Sequence, residues 1–423
     1  MNTVPTPTDF TIVNTTAVLP DRVLHDATVV VRGGFIVEVS TGAARPSDAI
    51  DARGAVTVPG AIDLHSDGLE KELRPRPGVE LPIEFALRSF EGRVRGAGVT
   101  TVYHGIGFEN GAKYERSVEQ AQAMCAAIDG IARSGRAIVD HRILHRLDVR
   151  DADGLAGLQD RLADLIPGSA GDLDRSHGLH AESPLVSYED HTPGRGQYAD
   201  RRWYERYVAD VKGLSDEDSE SYIDDILEAR EAQLGQRDRA VPWLAEQALA
   251  SKIRLMCHDP AEVDEIDEAL ESGVTISEFP TTVVAARASR EHGLPIVCGG
   301  PNALRGESHS GNVSARELVG LGLCDVLASD YLPSTLFGAV AALVDRGVCD
   351  LATAVGLVTF GPADTVGLTD RGRLEAGYRG DIAVVEFHGS IPTVRLVVSQ
   401  AGVADRPLAG TLSSNTLAEG FIS

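Results

Sequence analysis

The stretch IRLMCHDPAEVDEIDEALESGVTISEFPTTVVAARASREHGLPIVC, residues 253–298, holds the clearest structural pattern in the chain. Its short apolar runs at 253 to 257, 274 to 277 and 295 to 298 read as strands, and the segments 260 to 271 and 281 to 292 between them read as helices. Strand and helix alternating at this spacing indicate parallel βα units. A chain of 423 residues is long enough to close such units into a barrel, which takes about 250 residues, and still carry a smaller unit. The expected fold is therefore α/β, a (β/α)8 TIM-like barrel over 59–369. A small composite β-sandwich domain is expected from both chain ends, 1–58 and 370–423.

The ends support that division. Residues 10 to 13, 27 to 31 and 35 to 39 are short β segments around the turn Arg32-Gly33-Gly34, and Gly380-Asp381 leads into apolar runs at 382 to 387 and 394 to 398. Short hairpins are marginal alone, so the two ends are expected to pair into one sheet. Ser117 with Gln120 forms a capping-box signature ahead of a helix closed by Gly135. The acidic stretch 215 to 231 reads as a solvated helical insertion, with a lid over the site as the alternative.

Composition excludes several function classes. A net charge of −24 argues against nucleic acid or an anionic membrane, because phosphate neutralisation needs clustered cations. The N-terminus has no secretory signature and no apolar run reaches a membrane span, so a soluble cytoplasmic protein is expected. Five scattered cysteines suggest neither disulfides nor a thiolate zinc site, and Cys257, beside His258, is expected to be a buried thiol.

The chemistry gathers at strand ends. After Pro59-Gly60, the apolar run 61 to 64 leads into His65-Ser66-Asp67; residues two apart on a strand share a face, so His65 and Asp67 can both point into a barrel mouth. His258 and Asp330 each end a predicted strand, where a barrel makes such positions converge. Taken singly, either could be a satisfied imidazole or a surface carboxylate; equivalent positions on separate strands favour a shared metal. His191, before the turn Thr192-Pro193-Gly194, is a further ligand candidate or a structural residue. Asp148 is a candidate bridge between two metals.

PGAIDLHSDGLEK (59–71), RPRPGV (74–79), EDHTPGRGQYADRRWY (189–204), ISEFPTT (276–282), PNALRGESHSGN (301–312) and ASDYLP (328–333) together resemble a family. That family is the α-D-ribose 1-methylphosphonate 5-triphosphate diphosphatases of bacterial phosphonate breakdown, within the amidohydrolase superfamily. The resemblance implies that His65, Asp67, His191, His258 and Asp330 are metal ligands or metal-adjacent groups. It also implies cleavage of a ribosyl triphosphate to a 5-phosphate and pyrophosphate. Departures occur at Gly68, where Asn is usual, at Leu144, a usual His position with His145 beside it, and at Asp148, usually Glu. The run Tyr103-His104-Gly105 is atypical, and Glu307 replaces a Gly. Glu307 bears most on the substrate, since a carboxylate near polyphosphate costs Coulomb energy unless solvated, paired or used on another cation.

One or two divalent ions are expected, zinc first, with manganese, iron or magnesium as alternatives because Asp67 hardens the donor set. Asp330 is expected to orient or deprotonate the attacking water, and His309 to donate to phosphate or act as general acid, or else simply to brace its loop. Lys71, Arg74, Arg76, Arg195 and Arg305 are the candidate phosphate cations, with surface ion pairs as the alternative. The expected partner is a small phosphorylated substrate; a homo-oligomer and association with other phosphonate-breakdown enzymes are open. Two rival readings stand beside this one: a C–N hydrolase using the same cage, and a catalytically silent barrel scaffold.

Overall fold

The computed structural model describes residues 8–42, 46–111, 116–166, 183–190, 192, 201–212, 215–308 and 310–401. Eight strands form one parallel sheet in sequence order: β6 (Ala61–Ser66), β7 (Val99–Phe108), β8 (Asp140–Asp148), β9 (Leu185–Glu189), β10 (Arg254–His258), β11 (Val274–Glu278), β12 (Ile296–Gly299) and β13 (Val326–Ala328). The sheet curls back on itself through a parallel bridge between Ser66 and Asp330. Asp330 N donates to His65 O at 2.9 Å, and Asp67 N donates to Asp330 O at 2.5 Å. The seam of the barrel is thus stitched by the backbone of the residues expected to carry the chemistry.

Barrel strands are buried on both faces, which is why they read as apolar runs rather than alternations. Ile62, Leu64, Tyr103, Leu144, Met256, Ile276 and Val297 fill the interior. The opposite face packs against the surrounding helices, with Phe90, Ile106, Phe108, Ile128 and Leu255 among the buried contacts. Local signals place these helices. Ser117 Oγ accepts from Gln120 N at 3.2 Å at the start of Val118–Arg133, and Thr282 Oγ1 accepts from Ala285 N at 3.0 Å at the start of Val283–Glu291. The helices of the 253–298 stretch are shorter than the sequence suggests, running Val263–Glu271 and Val283–Glu291. Pro260 and Thr281 instead form the loops at the barrel mouth, where Thr281 N donates to Pro260 O.

The chain ends meet in a second, mixed sheet of seven strands: β1 (Phe10–Val18), β2 (Val23–Arg32), β3 (Phe35–Thr41), β4 (Ile50–Asp51), β5 (Val56–Pro59), β14 (Ile382–His388) and β15 (Ile391–Val398). The order is β15-β14-β5-β1-β2-β3, with β4 against β1. The antiparallel pairing of β14 with β5 joins C-terminal to N-terminal residues, and Ile12, Val29, Ile36, Leu374, Ile382 and Val384 share its core. The acidic stretch forms the helix Asp216–Ala232, which packs on the helix Arg201–Lys212 through Tyr204, Val208 and Ile223. No helix among the described residues is long and apolar enough to cross a membrane.

Candidate active site

The barrel brings four of the expected residues together at one mouth. His65 and Asp67 leave the end of β6, His258 ends β10, and Asp330 follows β13. Donor atoms of His65, Asp67 and Asp330 lie within 4.8 Å of one another, as do those of His65, His258 and Glu278. The rings of His65 and His258 stack at 5.8 Å.

Glu278, at the end of β11, organises this cluster and was not singled out from the sequence. One oxygen bonds His65 Nδ1 at 2.7 Å and the other bonds His258 Nδ1 at 2.7 Å; Ser187 Oγ donates to the second at 2.6 Å. A carboxylate can only accept here, so both rings donate from Nδ1 and present Nε2 to the mouth. Each Nε2 then faces oxygens: His65 Nε2 lies 3.3 Å from Asp67 Oδ1, and His258 Nε2 lies 3.4 Å from Asp259 Oδ2 and 3.9 Å from Glu189 Oε2. Each of these contacts is satisfied by a proton on the ring or by a metal ion between nitrogen and oxygen. Asp67 Oδ1 is buried without a hydrogen bond, which fits a cation at the same place. This set, imidazole nitrogens with carboxylate oxygens, fits a divalent metal. His65, His258, Asp67 and Asp330 are the residues that would hold it, with Glu278 fixing the rings from behind.

The electrostatics are those of dense, paired charge. Burial opposes ionisation of Asp67, but Arg146 and His65 more than offset it and hold the carboxyl well below the usual range. Burial also works against a charged His65, yet Glu278 and Asp67 raise its affinity for a proton well above the ordinary imidazole value. Asp330 moves the other way: burial, then the neighbouring Asp67 carboxylate, push it up. Its backbone is left-handed at φ 59°, a conformation Asp and Asn tolerate better than most residues.

Two buried arginines, also unforeseen, support the carboxylates. Arg146 Nη1 donates to Asp67 Oδ2 at 2.7 Å, and its Nη2 donates to Glu189 Oε2 at 2.6 Å. Arg116 pairs with Glu70 through two bonds of 2.8 Å and with Glu109 at 2.6 Å. Lone Arg and Glu residues carry no spacing signal, so only the folded strands reveal these pairs.

The other candidates divide. Lys71 and Arg305 line the cavity over the cluster, with Asn302, Ser308, Ser310 and Trp203. Arg74 is turned to Glu80 and Gln120, and Arg76 is exposed in a local bridge with Val79. Asp148 is not gathered into the cluster: Arg230 takes both oxygens, at 2.6 and 3.0 Å. His191, Arg195 and His309 lie outside the described residues.

The departures have local causes. A Cβ on Gly68 would come within 2.4 Å of the Phe90 ring. Leu144 sits in the barrel interior, whereas His145 bonds the Leu185 carbonyl on the adjoining strand, at 3.0 Å from Nδ1, and so does not take over its place. His104 joins His141 at 2.9 Å and through it Glu91, away from the mouth. Glu307 is solvated, its side chain 76% exposed and 3.5 Å from Arg305.

Fold and site define a class: a (β/α)8 barrel hydrolase whose candidate metal ligands converge at the strand ends. The model of the amidohydrolase family matches residues 244–423. The α-D-ribose 1-methylphosphonate 5-triphosphate diphosphatase of Escherichia coli (strain K12) is 33% identical over 375 residues, covering 88% of this chain and 94% of that protein. Among solved structures, a triazine hydrolase variant superposes with a TM-score of 0.60 at 15% identity, over 94% of this chain and 97% of the other. The dihydropyrimidinase from Brevibacillus agri NCHU1002 gives 0.53 at 15% identity, over 93% and 94%; both bear on the fold alone. The chain belongs to the amidohydrolase family and is a hydrolase, and the resemblance carried by its motifs is borne out.

Proposed function

We propose that this protein is a metal-dependent phosphoanhydride hydrolase of phosphonate catabolism. It hydrolyses α-D-ribose 1-methylphosphonate 5-triphosphate, or a similar ribosyl triphosphate, to the 5-phosphate and pyrophosphate. The observation that carries this reading is the 33% identity to the E. coli diphosphatase across 88% of the chain.

His65, His258, Asp67 and Asp330 would hold a divalent ion, which would supply Lewis acidity and lower the pKa of water at the site. The side chains do the rest. Asp330, grouped with His65 and Asp67 at the mouth, takes the proton of the attacking water as that water's oxygen bonds to the phosphorus nearest the ribose. The anhydride bond to the β-phosphate breaks, and pyrophosphate leaves with a proton from His309. Lys71 and Arg305, at the cavity wall, meet the phosphate charge, while Glu307, on the same wall, is solvated and 3.5 Å from Arg305.

A substrate panel tests the proposal. Pyrophosphate release from ribosyl or nucleoside triphosphates, without turnover of amides or cyclic ureides, is expected. Amide turnover without phosphate chemistry would overturn it in favour of C–N hydrolysis. A well-folded protein that retains and regains no metal would point to a silent scaffold.

A further inference from the structure

Arg146 occupies a position that is difficult to explain as ordinary packing. It leaves β8 beside Gly107 of β7 and Ser187 of β9, is 4% exposed, and reaches the mouth of the barrel. Its guanidinium spans two carboxylates from non-adjacent strands: Nη1 to Asp67 Oδ2 at 2.7 Å, and both Nη2 and Nε to Glu189 Oε2, at 2.6 and 3.2 Å. The other oxygen of Asp67 faces His65 Nε2. One side of Asp67 is thus turned to the metal-binding cluster and the other is closed by a fixed cation.

The neighbouring strand makes room for this cation. A Cβ on Gly105 would lie 2.3 Å from Asp67 Oδ1 and 3.2 Å from Arg146 Cδ. An arginine guanidinium keeps its proton in a protein, so a fixed positive charge lies 2.7 Å from Asp67 and 2.6 Å from Glu189. Two positive centres a few ångströms apart in a buried site repel by several kcal/mol even at an effective dielectric of about 20. A metal ion between Asp67 and Glu189 would have to displace the guanidinium or sit against it.

We propose that Arg146 stands in for a second metal ion, bridging Asp67 and Glu189 as a permanent cation, so that the active centre takes one divalent ion per chain. The inference rests on the metal-hydrolase reading above and deepens it. Arg146 is a positioning residue: it fixes Asp67 with one oxygen toward His65 and supplies positive charge that no chelator removes. The cost is chemical, since a guanidinium can donate to a water but cannot ligate it and lower its pKa as a second metal ion would.

Metal stoichiometry tests this apart from turnover. The metal-stripped full-length protein, titrated with Mn2+ or Zn2+ and analysed for bound metal after desalting, is expected to retain one equivalent per chain. Retention of two equivalents overturns the proposal. Retention of none, with the circular dichroism of the folded protein intact, overturns the metal-hydrolase reading itself, so the two failures are distinguishable. Arg146→Met removes this cation from both carboxylates and is expected to raise the retained metal to two equivalents; a folded variant that stays at one counts against replacement. Arg146→Lys keeps a cation there and is expected to remain at one equivalent, so two in that variant also counts against it. Should Arg146→Met fail to fold, the wild-type stoichiometry still decides.

Discussion

Glu278 has two oxygens and three donors upon them: His65 Nδ1, His258 Nδ1 and Ser187 Oγ. Exchanging it for Gln is nearly isosteric but sets an amide NH2 against one of the two ring N–H groups, so one imidazole must turn or change tautomer. For Glu278→Gln we expect metal affinity to fall by about ten- to a hundredfold, read by competition with a chelator; unchanged affinity would remove its orienting role. Asp330→Asn keeps a residue that tolerates the left-handed backbone but removes the proton acceptor. The turnover number is expected to drop more than about 10²-fold with the melting temperature little changed, and near-native turnover would refute the assignment. His65 and Asp67 were legible because period-two geometry on a short strand is a local property. Glu278 was not: its partner His65 lies 213 residues away, and a single acid after an apolar run has no spacing to mark it. Asp148 shows the converse. A carboxylate at a strand end looks like a ligand until Arg230, 82 residues on, claims it.

At the level of elements, β7 contributes by what it lacks. Gly105 and Gly107 lie where side chains would strike Asp67, Arg146 and Arg116, so the strand is hollowed to admit buried charge. Gly105→Ala is expected to lower stability by about 1–3 kcal/mol through overpacking, measured by urea unfolding, and to weaken metal retention by displacing Asp67. A variant equal to wild type in both would mean that the strand shifts freely. The strands and helices of 253–298 could be read beforehand, within a few residues at each end, because burial and periodicity are written locally. The helix Asp216–Ala232 could be read too, but its anchoring could not: Arg230 at its end bonds Asp148, Asp190 and Thr192, and no pattern in an acidic segment announces which of its cations will be buried.

Over the molecule as a whole, the face opposite the mouth is fastened by charge. Arg371, in the link between the barrel and β14, pairs with Asp140 at the start of β8 and with Asp370. Burial opposes ionisation of Asp140, but Arg142, Arg371 and Arg379 overcome it and lower its pKa from 3.8 to about 2. The folded state therefore prefers the ionised form, and this contribution is complete above the unfolded value of 3.8 and is lost as pH falls through about 2. A shift of that size corresponds to about 2 kcal/mol. Asp140→Asn should lose about that much stability at neutral pH, and its deficit against wild type should shrink as the solution is acidified from about pH 4 to about pH 2. A deficit independent of pH would show that packing, not charge, is what the residue contributes. The composite sheet was legible in outline, since both ends are rich in β-branched runs; that Arg371 would lock it beneath the barrel required the fold.

The seam between β6 and β13 has a bearing on biogenesis. Ser66 and Ser329, whose hydroxyls meet there at 3.1 Å, are 263 positions apart in the chain, and His65, Asp67 and Asp330 border the same junction. A ribosome must have extruded the residues through the last barrel strand before all of these donors can converge. Chains cut short before β13 lack Asp330 and the seam, so the full set of candidate metal donors would be assembled only as the ring is completed.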